Sequence, residues 1–153
     1  QQCKALTGDP LMLAIIARES SCGVNLTGDG GASCGPAHIL TSTANMFRTQ
    51  CGLDPKIPVQ CGFLNDKANW ATAICLSNEY IKTLQGPCSG GNENIAACYN
   101  GGVGANAGSA NCPGLKRWEC LYDDNAHQVC NVGYVTTRNY ATQVLYCSQN
   151  PMP

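Results

Sequence analysis

The sequence predicts a mainly helical, disulfide-rich domain, and three observations carry that expectation. Apolar residues in the longer patterned segments recur at helical spacing, the ends of those segments carry capping residues and glycine stops, and the 153 residues include twelve cysteines, an even number at scaffold density. A chain of this length can bury roughly 70% of its unfolded surface in one core, so a single domain over 1–153 is expected. With 44% hydrophobic residues against 12% charged ones the chain reads as folded, and its 17 glycines imply irregular turns between helices.

Taken in order, the first helix opens with Asp9 as N-cap and Pro10 in the first turn. Leu11-Met12-Leu13-Ala14-Ile15-Ile16-Ala17 then leads into Arg18-Glu19-Ser20. Thr41 to Cys51 reads as a second helix, capped by hydroxyl residues and ended by Gly52. Asp54 to Gly62, with Pro55 and Pro58, reads as loop. The third helix has Asp66 as cap, a stripe of Trp70, Ile74, Ser77, Ile81 and Leu84, and a Gly86-Pro87 stop. Trp70 on that stripe is either core or a sugar platform, and core is the commoner use of such a residue. Cys88 to Gly91 forms a turn, Asn92 to Tyr99 a short helix ended by Gly101-Gly102, and residues 101–114 a Gly/Ala/Asn-rich loop, either a cleft rim or an insertion. A last helix runs from about Thr137 to Cys147, with Tyr140, Ala141, Val144 and Leu145 on one face. There is no internal repeat or heptad.

Within this outline Glu19 is the candidate for chemistry. Met12, Ile15 and Ile16 precede it by seven, four and three residues and share its helical face. Apolar neighbours and the negative end of the helix dipole both disfavour a charged carboxylate there, which suits a general acid. The plain alternative is a helix-terminal glutamate that reaches water or pairs with Arg18 or another cation.

Three blocks bear on that choice: Ile15-Ile16-Ala17-Arg18-Glu19-Ser20-Ser21-Cys22-Gly23, then Gly28-Asp29-Gly30-Gly31-Ala32-Ser33-Cys34-Gly35-Pro36-Ala37-His38-Ile39, then Ile95-Ala96-Ala97-Cys98-Tyr99-Asn100-Gly101-Gly102. In this order they resemble the lysozyme and lytic transglycosylase superfamily, which cleaves peptidoglycan. The glutamate-serine pair resembles the family's catalytic helix, Ser33 to Ile39 its glycine-hydrophobic-methionine-glutamine-isoleucine turn, and Ala97 to Gly102 its alanine-tyrosine-asparagine-glycine segment. Arg18-Glu19-Ser20 with Gly28-Asp29-Gly30 is similar to goose-type lysozymes, while Ser33-Cys34-Gly35-Pro36 and the cysteine density are similar to invertebrate-type ones. Pro36, Ala37 and His38 stand where the family usually has leucine, methionine and glutamine, and Leu40 where goose-type enzymes carry a second acid.

The resemblance implies a lysozyme-like helical domain with Glu19 as general acid and Asp29 as a catalytic or water-positioning carboxylate. An aspartate between glycines is otherwise simple turn chemistry. It also implies glycan contacts from Ser33, from Tyr99 near the glutamate, and from Asn100 to an N-acetyl group, against the alternative of a buried tyrosine and a helix-capping asparagine. His38 is expected as a hydrogen-bonding cleft wall, because His127 is the only other histidine and no carboxylate cluster completes a metal site. Asn25-Leu26-Thr27 is a glycosylation sequon that matters only in a eukaryotic secretory pathway.

At net charge −1 the chain has no basic field for nucleic acid or an anionic membrane, so affinity for a wall glycan must come from sugar contacts. The longest apolar run, Leu11 to Ala17, is far short of a membrane span. The expectation is a processed, secreted mature form beginning at Gln1 and acting as a monomer on peptidoglycan or a related N-acetylated glycan, without metal or cofactor. Zinc is disfavoured because the nearest cysteines are Cys112 and Cys120 and no C-x-x-C occurs. Six disulfides are expected among Cys3, Cys22, Cys34, Cys51, Cys61, Cys75, Cys88, Cys98, Cys112, Cys120, Cys130 and Cys147, in unspecified pairing. Three functions remain open at this stage: a muramidase hydrolysing the β-1,4 bond between N-acetylmuramic acid and N-acetylglucosamine, a lytic transglycosylase forming 1,6-anhydro products, and a non-catalytic glycan-binding or structural module.

Overall fold

Pro10 lacks the amide hydrogen that a first-turn residue would leave unpaired, and the Asp9 carboxylate accepts from the Met12 amide at 2.9 Å. In the computed structural model, which describes residues 3–120 and 135–150, these residues open helix α1 (Pro10–Ser20) as the sequence predicts. The described residues are mostly helical, with one small sheet. The chain divides into two compact units, one up to Lys82 and one over Thr83–Asn150.

In the first unit α1 buries Leu11, Met12, Ala14, Ile15 and Ile16. A three-stranded antiparallel sheet follows, in the order β1 (Thr27–Gly28), β2 (Ser33–Cys34), β3 (Ile39–Leu40). Gly28 faces Ser33, and Cys34 faces Ile39. Strands of two residues are too short to show alternation, so the sequence pattern does not predict them.

The second helix is shorter than its pattern. α2 spans Thr41–Met46, Phe47 leaves helical geometry at φ −113°, ψ 14°, and a separate 3₁₀ turn, Thr49–Cys51, is closed by left-handed Gly52. Asn45 accounts for part of this. Its amide donates to the Thr41 and Val59 carbonyls at 2.6 and 2.9 Å, and its oxygen accepts from the Val59 amide at 2.9 Å, so the side chain competes with helix propagation. No hydroxyl caps α2: Leu40 holds the N-cap position. The expected loop to Gly62 also ends early, because α3 (Cys61–Asn65) begins within it.

Asp66 caps as expected, but through a 3₁₀ turn, Lys67–Asn69, that leads into α4 (Trp70–Leu84). The expected stripe of Trp70, Ile74, Ser77, Ile81 and Leu84 is buried. The core between sheet and helices joins Cys34, Ile39, Ala44, Phe47, Val59, Leu64, Ala73 and Leu76. Cys3–Cys22, Cys34–Cys61 and Cys51–Cys75 staple this unit.

The second unit contains α5 (Asn92–Gly101), a 3₁₀ turn over Val103–Asn106 and α6 (Val135–Gln149). α6 is longer than expected at both ends; Thr137, Tyr140, Ala141 and Val144 are buried at helical spacing. Gly101 admits the close approach of α5 to α6, since a Cβ there would lie 2.9 Å from the Thr137 hydroxyl. Buried Trp118 donates from Nε1 to Asn94 Oδ1 at 3.1 Å, and the Arg138 guanidinium donates to the Trp118 carbonyl at the same distance.

Cys88–Cys98 and Cys112–Cys120 close loops in this unit. Ten of the twelve cysteines expected to pair do so in these five bridges; Cys147 is an exposed free thiol among the described residues, and the one cysteine left to pair with it falls outside them, so the expected sixth bridge lies outside the described residues. Cys130 lies outside the described residues. No described helix is long and apolar enough to cross a membrane.

Candidate functional site

Glu19 occupies the last turn of α1, where the chain must leave the helix abruptly. Ser21, Cys22 and Gly23 follow with φ of 51°, 64° and 86°, a left-handed run that only Gly23 adopts without steric cost. The Ser20 hydroxyl supports the turn by donating to the Ile16 carbonyl at 3.1 Å and accepting from the Gly23 amide at 2.8 Å. Beneath the turn lies the Trp70 ring, so close that a Cβ on Gly23 would come 2.2 Å from it. Trp70 is buried, and its indole N–H donates to the Asn65 carbonyl at 3.3 Å. It therefore serves as core that seats the Glu19 turn, and its face is closed to a sugar.

The Glu19 side chain stays partly open, 18% exposed, and faces His38, whose Nδ1 lies 3.3 Å from Glu19 Oε2. The other ring nitrogen, Nε2, lies 2.8 Å from the Asn25 carbonyl oxygen. His38 is presented from the tight turn between β2 and β3, and it takes a left-handed φ of 48°, a conformation in which histidine is over-represented among side-chain-bearing residues. The Gly35 amide holds that turn against α3, donating to Asn65 Oδ1 at 2.8 Å and to the Leu26 carbonyl at 3.0 Å.

A carbonyl oxygen only accepts, so Nε2 carries a hydrogen. Nδ1 then faces the Glu19 carboxylate and donates to it whenever the ring carries its second proton. The contact with Glu19 holds the His38 pKa above its ordinary value against the opposing effect of burial. The Asn25 carbonyl and the negative charges of Glu19 and Asp29 act in the same direction as the contact.

Asp29 is exposed, heads the 3₁₀ turn Asp29–Gly31 and has a left-handed φ of 49°. Its charge acts on His38, so the glycine-rich loop and the histidine belong to one electrostatic neighbourhood. Ser33 fits its expected role poorly. It is 1% exposed in β2, and its Oγ finds no hydrogen-bond partner, so a glycan cannot reach it while the sheet is intact.

Tyr99 and Asn100 lie in α5 of the second unit. Tyr99 is half-buried; Asn100 is exposed, with Oδ1 accepting from the Thr137 hydroxyl at 2.9 Å. The Asn25 sequon residue is exposed in the loop between α1 and β1.

The sequence reading missed two members of the site. The Asn25 carbonyl leaves no trace in residue type. Gly28 does: in the Gly28-Asp29-Gly30-Gly31 run it reads as one more turn glycine, yet a Cβ there would lie 2.7 Å from both His38 Nδ1 and Ser33 Oγ. Among the described residues no group of three or more His, Cys, Asp or Glu side chains could hold a metal ion. Neither a family model, a curated protein nor a solved structure matches this chain.

Proposed function

We propose that this chain is a secreted muramidase on a lysozyme-like helical scaffold, with Glu19 as general acid. The observation that carries the reading is the setting of Glu19: a partly open carboxylate at the end of an apolar helix, with the His38 imidazole nitrogen Nδ1 3.3 Å from Oε2. Such a group can give a proton to the glycosidic oxygen as the bond from the muramyl C1 breaks. To Asp29, which is exposed on the glycine-rich loop and acts electrostatically on the same histidine, we assign the role of orienting the attacking water, as the resemblance implies. Tyr99 and Asn100 enter as glycan contacts on the resemblance of Ala97 to Gly102 alone. Five disulfides support an oxidising, extracellular setting.

The deciding experiment is mass spectrometry of products from purified peptidoglycan. Muropeptides with a free reducing end are expected. Anhydro products, lighter by one water, would make the chain a lytic transglycosylase; intact glycan strands after long incubation would leave a binding module.

A further inference from the structure

We propose that His38 is a positioning residue that shares one transferable proton with Glu19, so that the pair, not the carboxylate alone, is the proton source of the site. The inference rests on the muramidase reading for the delivery step and on geometry for the pair itself. His38 Nδ1 stands 3.3 Å from Glu19 Oε2, and Nε2 is committed as a donor to the Asn25 carbonyl at 2.8 Å. The ring therefore cannot turn its other nitrogen to Glu19 without losing the hydrogen bond to the Asn25 carbonyl, and the imidazole side chain is only 7% exposed. Gly28 lies against Nδ1 and leaves no room there for a larger neighbour.

The charged groups whose fields reach His38 are Glu19 on α1 and Asp29 on the loop after β1, both negative. Asn25, from the loop between them, presents a neutral carbonyl. This surrounding retains a proton on the pair at pH values where an isolated carboxylate would have lost it.

In the step itself Glu19 passes the proton to the glycosidic oxygen. That oxygen keeps the electron pair of the breaking C1–O bond and leaves as a hydroxyl. The pair is left as carboxylate and neutral imidazole, with one net negative charge. Water adds to C1 and gives its surplus proton to Asp29, and solvent reloads the pair. Where the resembled family has glutamine, this chain has a group that titrates.

The test uses Glu19→Gln, His38→Gln and His38→Asn, the last because asparagine tolerates the left-handed backbone at this position. The His38 ring resonances are titrated by NMR in the wild type and in Glu19→Gln. A His38 pKa that falls in Glu19→Gln is expected, and an unchanged pKa overturns the pair. The pH profile of peptidoglycan cleavage is then measured for the wild type and both His38 variants, each checked for an unchanged circular dichroism spectrum. The variants should keep most activity at about pH 5 and lose most of it at about pH 8, with the alkaline limb moved to lower pH. Equal loss at every pH, with the limb in place, would mean that His38 only supports the fold and would overturn the proposal. A wild type inactive at every pH, with the coupled titration still seen, would end the muramidase reading and leave the shared proton supported.

Discussion

Gly28 and His38 are in direct contact: the face of Gly28 that would carry a side chain is covered by His38 Nδ1, 2.7 Å from the position of a Cβ. The Gly28 backbone is extended, at φ −125°, so any residue could adopt it and the requirement for glycine is one of space. Gly28→Ala should push the imidazole from Glu19 and press on Ser33 Oγ. The expected cost is about 1 to 3 kcal/mol of stability from overpacking, read by denaturant unfolding, with a larger fractional loss of activity than of stability. Unchanged unfolding and turnover would show that the contact relaxes freely.

Stability should also depend on pH through the same residue. The folded-state pKa of His38 is raised above the ordinary 6.5, so the folded protein binds the His38 proton more tightly than the unfolded chain does. The contribution is complete below about pH 6.5 and is lost as pH rises through the raised value. Melting temperatures measured across that window should fall with rising pH in the wild type and fall less in His38→Gln. Parallel curves for the two proteins would contradict this.

Glu19→Gln keeps the shape of the side chain and removes the proton, so the variant should fold and lose about 10²- to 10⁴-fold in turnover. Retention of most wild-type activity on peptidoglycan would show that Glu19 is not the acid.

The sequence revealed the parts of this site that are local and concealed those that are not. Asp9 and Pro10 act within one turn of themselves, and the stripe from Trp70 to Leu84 is periodic along one helix, so both were legible. The contact between Glu19 and His38 joins residues nineteen positions apart through a sheet of two-residue strands, and no periodicity signals it. Asn45 shortens α2 through a bond to Val59, fourteen residues away, which composition cannot express. Burial of Ser33 was hidden for the same reason: its residue type suits a cleft, and its register opposite Gly28, whose missing side chain leaves Ser33 Oγ against the backbone, appears only in the folded strand pair.

Cys34–Cys61 ties the strand before the His38 turn to α3. Closing a loop with a sequence separation of 27 should stabilise the fold by about 3 kcal/mol through the unfolded state. The double variant Cys34→Ala, Cys61→Ala should lose about that much in chemical denaturation, without leaving a reactive thiol behind. If cleavage activity falls before global unfolding begins, the bridge also sets the position of His38. Coincident loss would confine its role to overall stability.

Asp29→Asn tests the division of labour between the two carboxylates. Asp29 is exposed and holds a left-handed φ that asparagine also tolerates, so the substitution should leave the melting temperature within a few degrees of wild type. It removes one negative field from His38, and the His38 pKa should move down. If Asp29 orients the attacking water, hydrolysis should fall by about 10²-fold or more while glycan binding persists. Mass spectrometry then separates the mechanisms. A general loss of products with free reducing ends supports a water-orienting aspartate. A variant that still cleaves but releases anhydro ends would show that the muramyl C6 hydroxyl can replace water. Full hydrolytic activity in Asp29→Asn would remove Asp29 from the chemistry and leave the Glu19–His38 pair to act without a second carboxylate at that position.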